Sequence, residues 1–550
     1  MGAAGSALNI GNGNLTINTD YTNAGAGSGN GFNRRAGVTG TGQIVAGGDV
    51  AQVITGATVT DGGTPNATLT INNVRVGSTT YNYQIGNAGT TGPTLRGAIQ
   101  TSVNGGNLTD PRLGGVGATA GNYNAGGPGG NSGDLGVTFT AASAGLLAPL
   151  TGQVLNLRSN FENIADQKLN IVLGAGAAAY NAAVGSANSP VVVANQRVGG
   201  SNTAAVTVAN TAPAGSFSED LNVTVGGATD AATGAGAITG RLAGTNNTGT
   251  GALALAVGTS TAGAKTGGVT LNYETAGAVG GVSNGLGTAS VGSEVVAVSG
   301  NVYRLAQGQT TPVSTSFGNV HVGDSAVQNL TVSNTAVADG FSESLNMTLG
   351  AVTGNAYTTS GSGGVTQLAA GASTVPVTLG IDTSTAGAKS GSLTLNYASD
   401  GTGTSGLAAI AAGSQTVTVS GAVYRLASAN TLGAVNFGNV HVGDTVQQAL
   451  VITNTALADG FSESLNASFG ASSDSRILTS GSISQLAAGA TNASGMIVGL
   501  DTSAAGSVAG TQVIHFASDG TGTSGLGVTN LASQTIGVTG DITTSGSVFR

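Results

Sequence analysis

Short stretches in which apolar and polar residues alternate run through most of the chain, and Gly, Asn, Ser or Asp follows each stretch. Alternation with a period of two marks a strand with one buried face, because successive side chains of a strand point to opposite faces. No segment carries a helical period of useful length. The pattern therefore predicts an all-β protein of many short strands joined by tight turns.

The stretches recur as copies of one longer unit. FGNVHVGD at 317–324 returns at 437–444, and weaker versions stand at 193–200 (VANQRVGG) and 71–78 (INNVRVGS). Further motifs keep the same register, among them ADGFSES, TSTAGAK and a closing VYRLA. Self-similarity at a fixed period is typical of an array of equal structural units.

The copies can be compared position by position in the strand that follows the first motif. The positions predicted to face inward are apolar in every copy: Tyr83 and Ile85, Val206 and Val208, Leu330 and Val332, Leu450 and Ile452. Each copy contains about seven such segments. This number and spacing favour a β-sandwich of immunoglobulin-like type.

We therefore predict four tandem sandwiches of a normal domain size. They cover 66–183, which is divergent, 184–308, 309–429 and 430–550. Residues 1–65 differ, because small polar and aliphatic residues alternate there in shorter rungs. This β-rich segment resembles the tail of a right-handed parallel β-helix, as in filamentous-haemagglutinin-like and autotransporter passengers.

The stretch VNFGNVHVGDTVQQALVITNTA (435–456) resembles the opening of the bacterial choice-of-anchor D repeats, which are similar to hydin-like immunoglobulin folds. Copies three and four match this opening well. Copy two lacks the opening Phe, and copy one keeps little beyond Val74–Gly77 and Asn87. The resemblance implies a sandwich fold and an extracellular or cell-surface setting, and it implies no catalytic residue.

Composition excludes several classes of function. Cys is absent, so the chain has no disulfide, no thiolate metal site and no cysteine nucleophile. Only 7% of residues are charged and the net charge is −9, so no basic stripe is available for nucleic acid. No apolar run approaches the roughly 18 residues of a membrane-spanning helix.

A glycine pattern typical of dinucleotide-binding loops, G-x-G-x-x-G, occurs twice in the motif SDGTGTSGL. Its glycines are Gly401, Gly403, Gly406 and Gly520, Gly522, Gly525. A nucleotide loop needs a helix behind it, and here strand alternation resumes. Since the stretch also varies between copies, we predict a strand-connecting loop without chemistry of its own.

The three histidines are predicted to be solvent-facing polar residues. His321 and His441 stand between inward-facing valines, and copies one and two have Arg75 and Arg197 at this position. Arginine cannot ligate a metal, so the position does not require an imidazole. His515 occupies a position that is polar in the other copies: Asn156, Asn272 and Asn396.

Paired carboxylates repeat in ADGFSES, as Asp339 with Glu343 and Asp459 with Glu463. Two carboxylates could serve glycoside hydrolysis. Copy two, however, has Glu219 and Asp220, which suggests a shifted pair, and copy one has none. We therefore predict turn chemistry here. Calcium is not expected either, because SDGTGTSG offers a single carboxylate.

Two further sets of residues recur. An Asn ends the second strand of every copy: Asn87, Asn210, Asn334 and Asn454. We predict that it adopts a left-handed backbone and bonds its own turn. Tyr303 and Tyr424, with Phe549, are predicted to pack between domains.

The sequence favours a non-enzymatic extracellular structural protein, a cell-surface stalk or a self-assembling fibre subunit. No catalytic, cofactor-binding or metal-binding residue is assigned. Sheet edges are normally protected by charge or proline, and the chain has 3 Lys and 9 Pro, so self-association through edges or domain ends is expected. The alternatives are an adhesin that binds glycans or neighbouring cells and, less favoured, a polysaccharide-active enzyme.

Overall fold

A computed structural model describes residues 8–11, 15–17, 38–40, 43–246, 253–360 and 363–544. Within these ranges the protein is all-β, as predicted, and its one helical element is a single 3-10 turn at Val116–Ala118. No helix in the described ranges is both long and apolar enough to cross a membrane. The chain divides into two compact units. One is 1–194 with 201–258 and 265–300, and the other is 195–200 with 259–264 and 301–550.

In the first unit, copy one forms a sandwich. Its larger sheet has the strand order Gly121–Gly126, Leu95–Gln100, Gln153–Ser159, Gln167–Leu173, Asn66–Ile71, Val59–Thr60. Its second sheet has the order Leu113–Gly114, Leu135–Ala141, Gly77–Asn87, Gln52–Thr55. A short sheet joins Gly145–Leu146, Ala178–Tyr180 and Val74–Arg75. One apolar core contains side chains from both large sheets, among them Phe139 and Leu155.

Most of copy two also belongs to this unit. Its large sheet runs Val191–Val192, Ala289–Tyr303, Gly263–Thr275, Leu221–Asp230, Ala232–Arg241, Leu253–Val257, Ala204–Ala205, with Gln196–Arg197 beside Ala289–Tyr303. A smaller sheet has the order Gly185–Ala187, Val208–Asn210, Thr245–Asn246, and a hairpin pairs Ala278–Val279 with Val282–Ser283. Val208 and Leu271 are fully buried, so both sheets contribute apolar side chains to the interior.

In the second unit, copy three is a sandwich of two sheets. One has the order Gly308–Thr311, Val327–Asn334, Ser373–Ile381, Ala356–Ser360. The other has the order Ser314–His321, Ile410–Tyr424, Gly387–Asp400, Ser344–Gly354, Val365–Leu368. Leu330 and Val377 of the first sheet share a core with Leu395 and Val417 of the second. Fully burying side chains of this size is worth about 1.5–3 kcal/mol each, which holds the two sheets together.

Copy four repeats this arrangement. Its large sheet runs Val435–His441, Gln534–Thr543, Gly506–Asp519, Ser464–Ser472, Ile483–Leu486, with Val528–Asn530 also paired to Gly506–Asp519. The opposite face is made of Val446–Ala449, Met496–Leu500, Ile477–Gly481 and of the pair Ile452–Thr453 and Thr491–Asn492. A single core includes Ile452, Val498 and Ile514.

The eight inward positions predicted by alternation are all buried, with at most 4% of any of them exposed. The residue between them is half-buried in three copies, and Val451 in the fourth is exposed. Period-two alternation therefore identified the buried face of this strand correctly in each copy.

The first strand of a copy runs parallel to its last strand, and this brings two distant sequence motifs together. In copy three, His321 lies opposite Tyr424. The same pairing joins Arg75 to Tyr180 and Arg197 to Tyr303. The residue between the valines thus lies at the end of the sheet where the chain leaves the copy.

The segment 1–65 contains two parallel strand pairs. Leu8–Gly11 pairs with Val38–Gly40, and Leu15–Ile17 pairs with Ile44–Ala46. Its last strands, Gln52–Thr55 and Val59–Thr60, pair instead with strands of copy one, and Ile54 lies in that core. The β-rich segment therefore shares its final strands with the sheets of copy one.

Candidate functional site

Three glutamates lie completely inside the protein. Glu219, Glu343 and Glu463 have no exposed surface, and each follows a Phe-Ser pair. A buried carboxylate without partners costs several kcal/mol, so each of its oxygens has to find donors. The partners of these glutamates therefore show what the position is for.

In copy three, two serines and one arginine surround the carboxylate. Ser399 donates its hydroxyl to Oε2 of Glu343 at 2.7 Å, and Ser405 donates to Oε1 at 2.5 Å. Arg197 adds an ion pair through Nε, 2.9 Å from Oε2. Arg197 belongs to copy two of the sequence, 146 residues earlier.

Copy four has the same arrangement with a histidine in place of the arginine. Ser518 and Ser524 donate to Glu463 at 2.7 and 2.5 Å. Nε2 of His321, from copy three, lies 2.8 Å from Oε1 of Glu463. The prediction that His321 simply faces solvent is therefore wrong, since only 20% of its side chain is exposed.

Copy two builds the arrangement with other residue types. Thr275 donates its hydroxyl to Glu219, and Asn284 donates its amide to Oε1 at 2.6 Å. Nε of Arg75, from copy one, lies 2.8 Å from Oε2. We call a glutamate with its two donors a caged glutamate, and we call Arg75, Arg197 and His321 the pin residues.

Each pin residue is supported by an asparagine two positions before it. Asn73 and Asn195 donate their amides to the carbonyls of Asn284 and Ser405, at 2.8 and 2.9 Å. Asn319 makes the same contact with the carbonyl of Ser524. We call the loop that carries the second donor of a caged glutamate, which is Asn284, Ser405 or Ser524, the cage loop. Both arginine pins also donate through Nη2 to a carbonyl of this loop, as Arg197 does to Ala408 at 2.6 Å.

The glycine motif SDGTGTSGL is part of the cage. It joins the antiparallel strands Gly387–Asp400 and Ile410–Tyr424, so the predicted strand-connecting loop is confirmed. A Cβ on Gly401 would lie 2.2 Å from Oγ of Ser405 and 2.6 Å from Oε1 of Glu343. Glycine is therefore needed for close approach to the carboxylate. The loop thus has a structural role at the carboxylate that the sequence analysis did not assign to it.

An aspartate organises the start of each such loop. Asp400 accepts hydrogen bonds from the backbone and the hydroxyl of Thr402 and from Asn346, and these lower the pKa of Asp400. In copy four, hydrogen bonds from Thr521 and Asn466 lower the pKa of Asp519 in the same way. The aspartate is thus a loop cap.

The segment that links one copy to the next is tied to the caged glutamate. The backbone N–H of Ala306 donates to Oγ of Ser399 at 2.7 Å, and Ser399 in turn donates to Glu343. The N–H of Glu343 donates to the carbonyl of Arg304 at 2.9 Å. The carboxylate therefore connects the pin, the linker and the sandwich in one hydrogen-bond network.

Aromatic rings and ion pairs add to the linker contacts. Tyr180, Tyr303 and Tyr424 lie on Phe217, Phe341 and Phe461 with ring centroids 5.6–5.8 Å apart. Arg304 and Arg425 bind Asp339 and Asp459, and these hydrogen bonds lower the pKa of both aspartates. Tyr303 and Tyr424 thus make the predicted contacts. Phe549 lies outside the described residues, and Thr543 stands beside His441 where Tyr424 stands beside His321.

The recurring asparagines do not have the predicted left-handed backbone, because none of the four has a positive φ. They are buried and bond their own turns, as Oδ1 of Asn334 accepts from the N–H of Ala336 at 3.3 Å. Nδ2 of Asn334 also donates to the carbonyl of Glu343 at 3.1 Å. The asparagine therefore holds the caged glutamate in position.

The carboxylate pattern in copy two is not shifted as expected. Glu219 has the same contacts as Glu343, and it follows its asparagine at the same distance of nine residues. Asp220 is buried and accepts the N–H groups of Gly280 and Gly281. Copy one has Arg96 nine residues after Asn87, and it has no caged glutamate.

The remaining sequence candidates make simpler contacts. His441 has 62% of its side chain exposed, and His515 is exposed with Nδ1 2.8 Å from Oγ of Ser533. Asp444 and Asp501 line one groove, and both accept backbone N–H groups, of His441 and Ser503. Within the described ranges no group of His, Asp and Glu has the arrangement of a metal site.

The caged glutamate holds a partly exposed pin side chain against a carboxylate that has no exposed surface. Every carboxylate oxygen is engaged by protein donors, which leaves no lone pair facing a cleft for proton transfer. The sequence shows that the glutamate and the serines recur, and that the glutamate follows its asparagine at a fixed interval. It does not show that the glutamate contacts a residue of the preceding copy.

Comparison with known proteins identifies no family. No family model matches the chain, and no curated protein matches it. Among solved structures, protocadherin gamma B2 extracellular domains 1–5 is 9% identical with a TM-score of 0.34, covering 93% of this chain and 84% of that one. A mouse cadherin-23 fragment is 10% identical with a TM-score of 0.31, covering 66% and 100%. An I-band fragment of titin is 11% identical with a TM-score of 0.23, covering 66% and 99%. At these scores the sandwich assignment rests on the sheets of this chain itself, and the choice-of-anchor D resemblance stays a prediction.

Proposed function

We propose that this protein is a non-enzymatic extracellular structural protein, in which tandem sandwiches are fastened to one another by caged glutamates. The observation that carries this proposal is the threefold repetition of the same contact between neighbouring copies, with Arg75 on Glu219, Arg197 on Glu343 and His321 on Glu463. The buried glutamates therefore connect each copy to the one before it.

The energetics favour a stiff connection. Removing one partner of a buried, hydrogen-bonded charge pair leaves an uncompensated charge and typically costs about 3–5 kcal/mol. The pin residues keep 17–25% of their side chains exposed, so we expect a smaller cost here, about 1–3 kcal/mol. This is still large relative to the stability of a single sandwich.

The test compares two histidines in the same motif. His321→Ala removes the pin of Glu463, whereas His441→Ala alters the equivalent residue, which contacts no caged glutamate in the described part of the chain. We expect His321→Ala to lower the free energy of unfolding of the transition that includes copy four, as measured in urea. His441→Ala should change that free energy by less than about 0.5 kcal/mol. Equal effects of the two variants would contradict the proposal.

The extracellular setting is supported by the likeness of VNFGNVHVGDTV to surface-protein repeats. Surface digestion of intact producing cells with a protease, followed by immunoblotting, tests this part. We expect the protein to be degraded while a cytoplasmic marker stays intact. Protection of both would place the protein inside the cell.

We also propose self-association through sheet edges, because the edges have few Lys or Pro residues. End-to-end association through the pins is not favoured, since copy one has no acidic residue between Asn87 and Gln100 for a pin to bind. Sedimentation velocity over a hundredfold concentration range should show ordered oligomers at the upper end. A strictly monomeric protein at every concentration would contradict this proposal.

A further inference from the structure

The fourth copy repeats FGNVHVGD, the motif that contains the pin residue His321 in the third copy. His441 of the fourth copy has the same backbone geometry as His321. The N–H of His441 donates to Oδ2 of Asp444 at 2.8 Å, and the N–H of His321 donates to Oδ2 of Asp324 at 2.8 Å. The next residue also matches, because Val442 donates its N–H to Thr543 at 2.9 Å, as Val322 does to Tyr424. The pin is therefore preformed.

The two histidines differ in what lies against them. His321 has 20% of its side chain exposed and touches the caged Glu463. His441 has 62% exposed, and the carboxylate nearest to it in the described part of the chain is its own Asp444, 3.7 Å away. An equivalent aspartate, Asp324, stands 3.9 Å from His321 and does not replace Glu463 there. Asp444 is thus a part of the pin and not its partner.

We propose that the face formed by Asn439, His441 and Thr543, the end face, binds a further sandwich of the same sequence unit through a caged glutamate of that sandwich. This inference rests on the proposed function. In the three junctions described above, the pin takes one buried carboxylate and the asparagine two positions earlier takes one carbonyl. Asn439 and His441 offer this same pair of groups.

The chemistry of the occupant follows from the occupied junctions. It has a glutamate nine residues after a strand-ending asparagine, two hydroxyl or amide donors for the carboxylate, and a free carbonyl in the cage loop. The cages of this chain are already filled, by Arg75, Arg197 and His321. Copy one has no acidic residue between Asn87 and Gln100 and therefore no cage to offer. The occupant is therefore a sandwich whose own cage is still open.

The experiment uses the full chain and an extended chain, in which a second copy of residues 426–544 follows Arg550. Because Thr543 lies opposite His441 where Tyr424 lies opposite His321, the new linker is six residues longer than the internal one and lets the appended copy reach the end face. Trypsin can cut after Arg550 in the new linker and after Arg425 in an internal linker. The two cleavage rates in one digest report how often each of the two junctions opens locally.

We expect His441→Ala in the extended chain to speed cleavage after Arg550 at least tenfold and to leave cleavage after Arg425 unchanged. Glu→Gln at the appended counterpart of Glu463 should speed the same cut. Equal rates after Arg550 with and without His441, or an appended copy that stays unfolded beside folded copies one to four, would overturn the inference.

His321→Ala separates this inference from the proposed function. It should speed cleavage after Arg425 and not after Arg550, because His321 pins the junction that contains Arg425. If His321→Ala changes neither rate, the proposed function fails. If it acts as expected while His441→Ala is silent, the inference about the end face fails alone.

Discussion

Each pin residue contacts a carboxylate that has no exposed surface. Arginine does this at two junctions and also donates to a carbonyl of the cage loop, whereas His321 makes the contact with one ring nitrogen. The junction between copies three and four therefore has one pin contact fewer than each of the two arginine junctions.

Replacing this histidine with arginine tests the difference. A guanidinium at position 321 is expected to contact both Glu463 and a carbonyl of the cage loop, as Arg197 contacts Glu343 and Ala408. We expect His321→Arg to raise the urea midpoint of the transition that includes copy four above that of the parent. A midpoint at or below that of the parent would contradict the prediction.

The cage loop offers a second residue-scale test with a matched control. A Cβ at Gly401 would approach Ser405 and Glu343 to 2.2 and 2.6 Å, whereas one at Gly403 meets nothing nearer than 3.4 Å. Gly401→Ala should lower the stability of copy three by about 1–3 kcal/mol, and Gly403→Ala should leave it nearly unchanged. Urea unfolding monitored by circular dichroism measures both. Equal losses would show that the loop tolerates no side chain for general reasons.

At the scale of elements, the first and last strands of a copy matter most for the junction. Because they run parallel, the pin and the linker tyrosine come out at the same end of the sheet. The linker then adds an aromatic contact and, after copies two and three, an arginine–aspartate pair. The junction therefore has a buried part that depends on the pin and an exposed part that depends on the linker.

The exposed part should weaken in acid. Hydrogen bonds from Arg304 and Arg425 lower the pKa of Asp339 and Asp459 below the ordinary 3.8. A carboxyl with a lowered pKa stabilises the folded state fully above its unfolded pKa, and this contribution is lost as the pH falls through the folded value. Because tryptic cleavage cannot be followed in acid, the linkers are probed with pepsin. We expect pepsin to cleave them faster below pH 4. Asp339→Asn should remove the acceleration at its own linker only.

At the scale of the whole molecule, the same contact is used three times, and it is distributed over both compact units. Arg75 with Glu219 belongs to the first unit, and His321 with Glu463 belongs to the second. Arrays of this kind gain stability from each unit and from each nearest-neighbour junction. A caged glutamate is thus a local device whose effect extends along the array by repetition.

Additivity of two pin variants tests this view. Changes at distant, independent sites usually add to within about 0.3–0.5 kcal/mol. We expect the summed free energy of unfolding lost in Arg75→Ala with His321→Ala to equal the sum of the single losses. Calorimetry of the single and double variants measures it, with each transition assigned by the single variants. A double loss well below the sum would reveal coupling between the two junctions.

The sequence by itself determined the all-β class, the repeat, and the buried faces of strands such as the one containing Leu330 and Val332. These features depend on local periodicity and on turn residues, which are readable along a single segment. It also exposed the recurring Asn, Glu, Ser and His positions, but it assigned them to turns and to solvent. Nothing local distinguishes a solvated Glu343 from a buried one.

Only the tertiary structure decided which of these residues meet. Arg197 reaches Glu343 across 146 residues of sequence because the first strand of one copy ends where the next copy begins. Whether a charge is buried, and by which cation it is neutralised, is a property of that packing. The same packing places the glycine motif against the buried carboxylate. Ser405 and Glu343 leave no room for a side chain at Gly401.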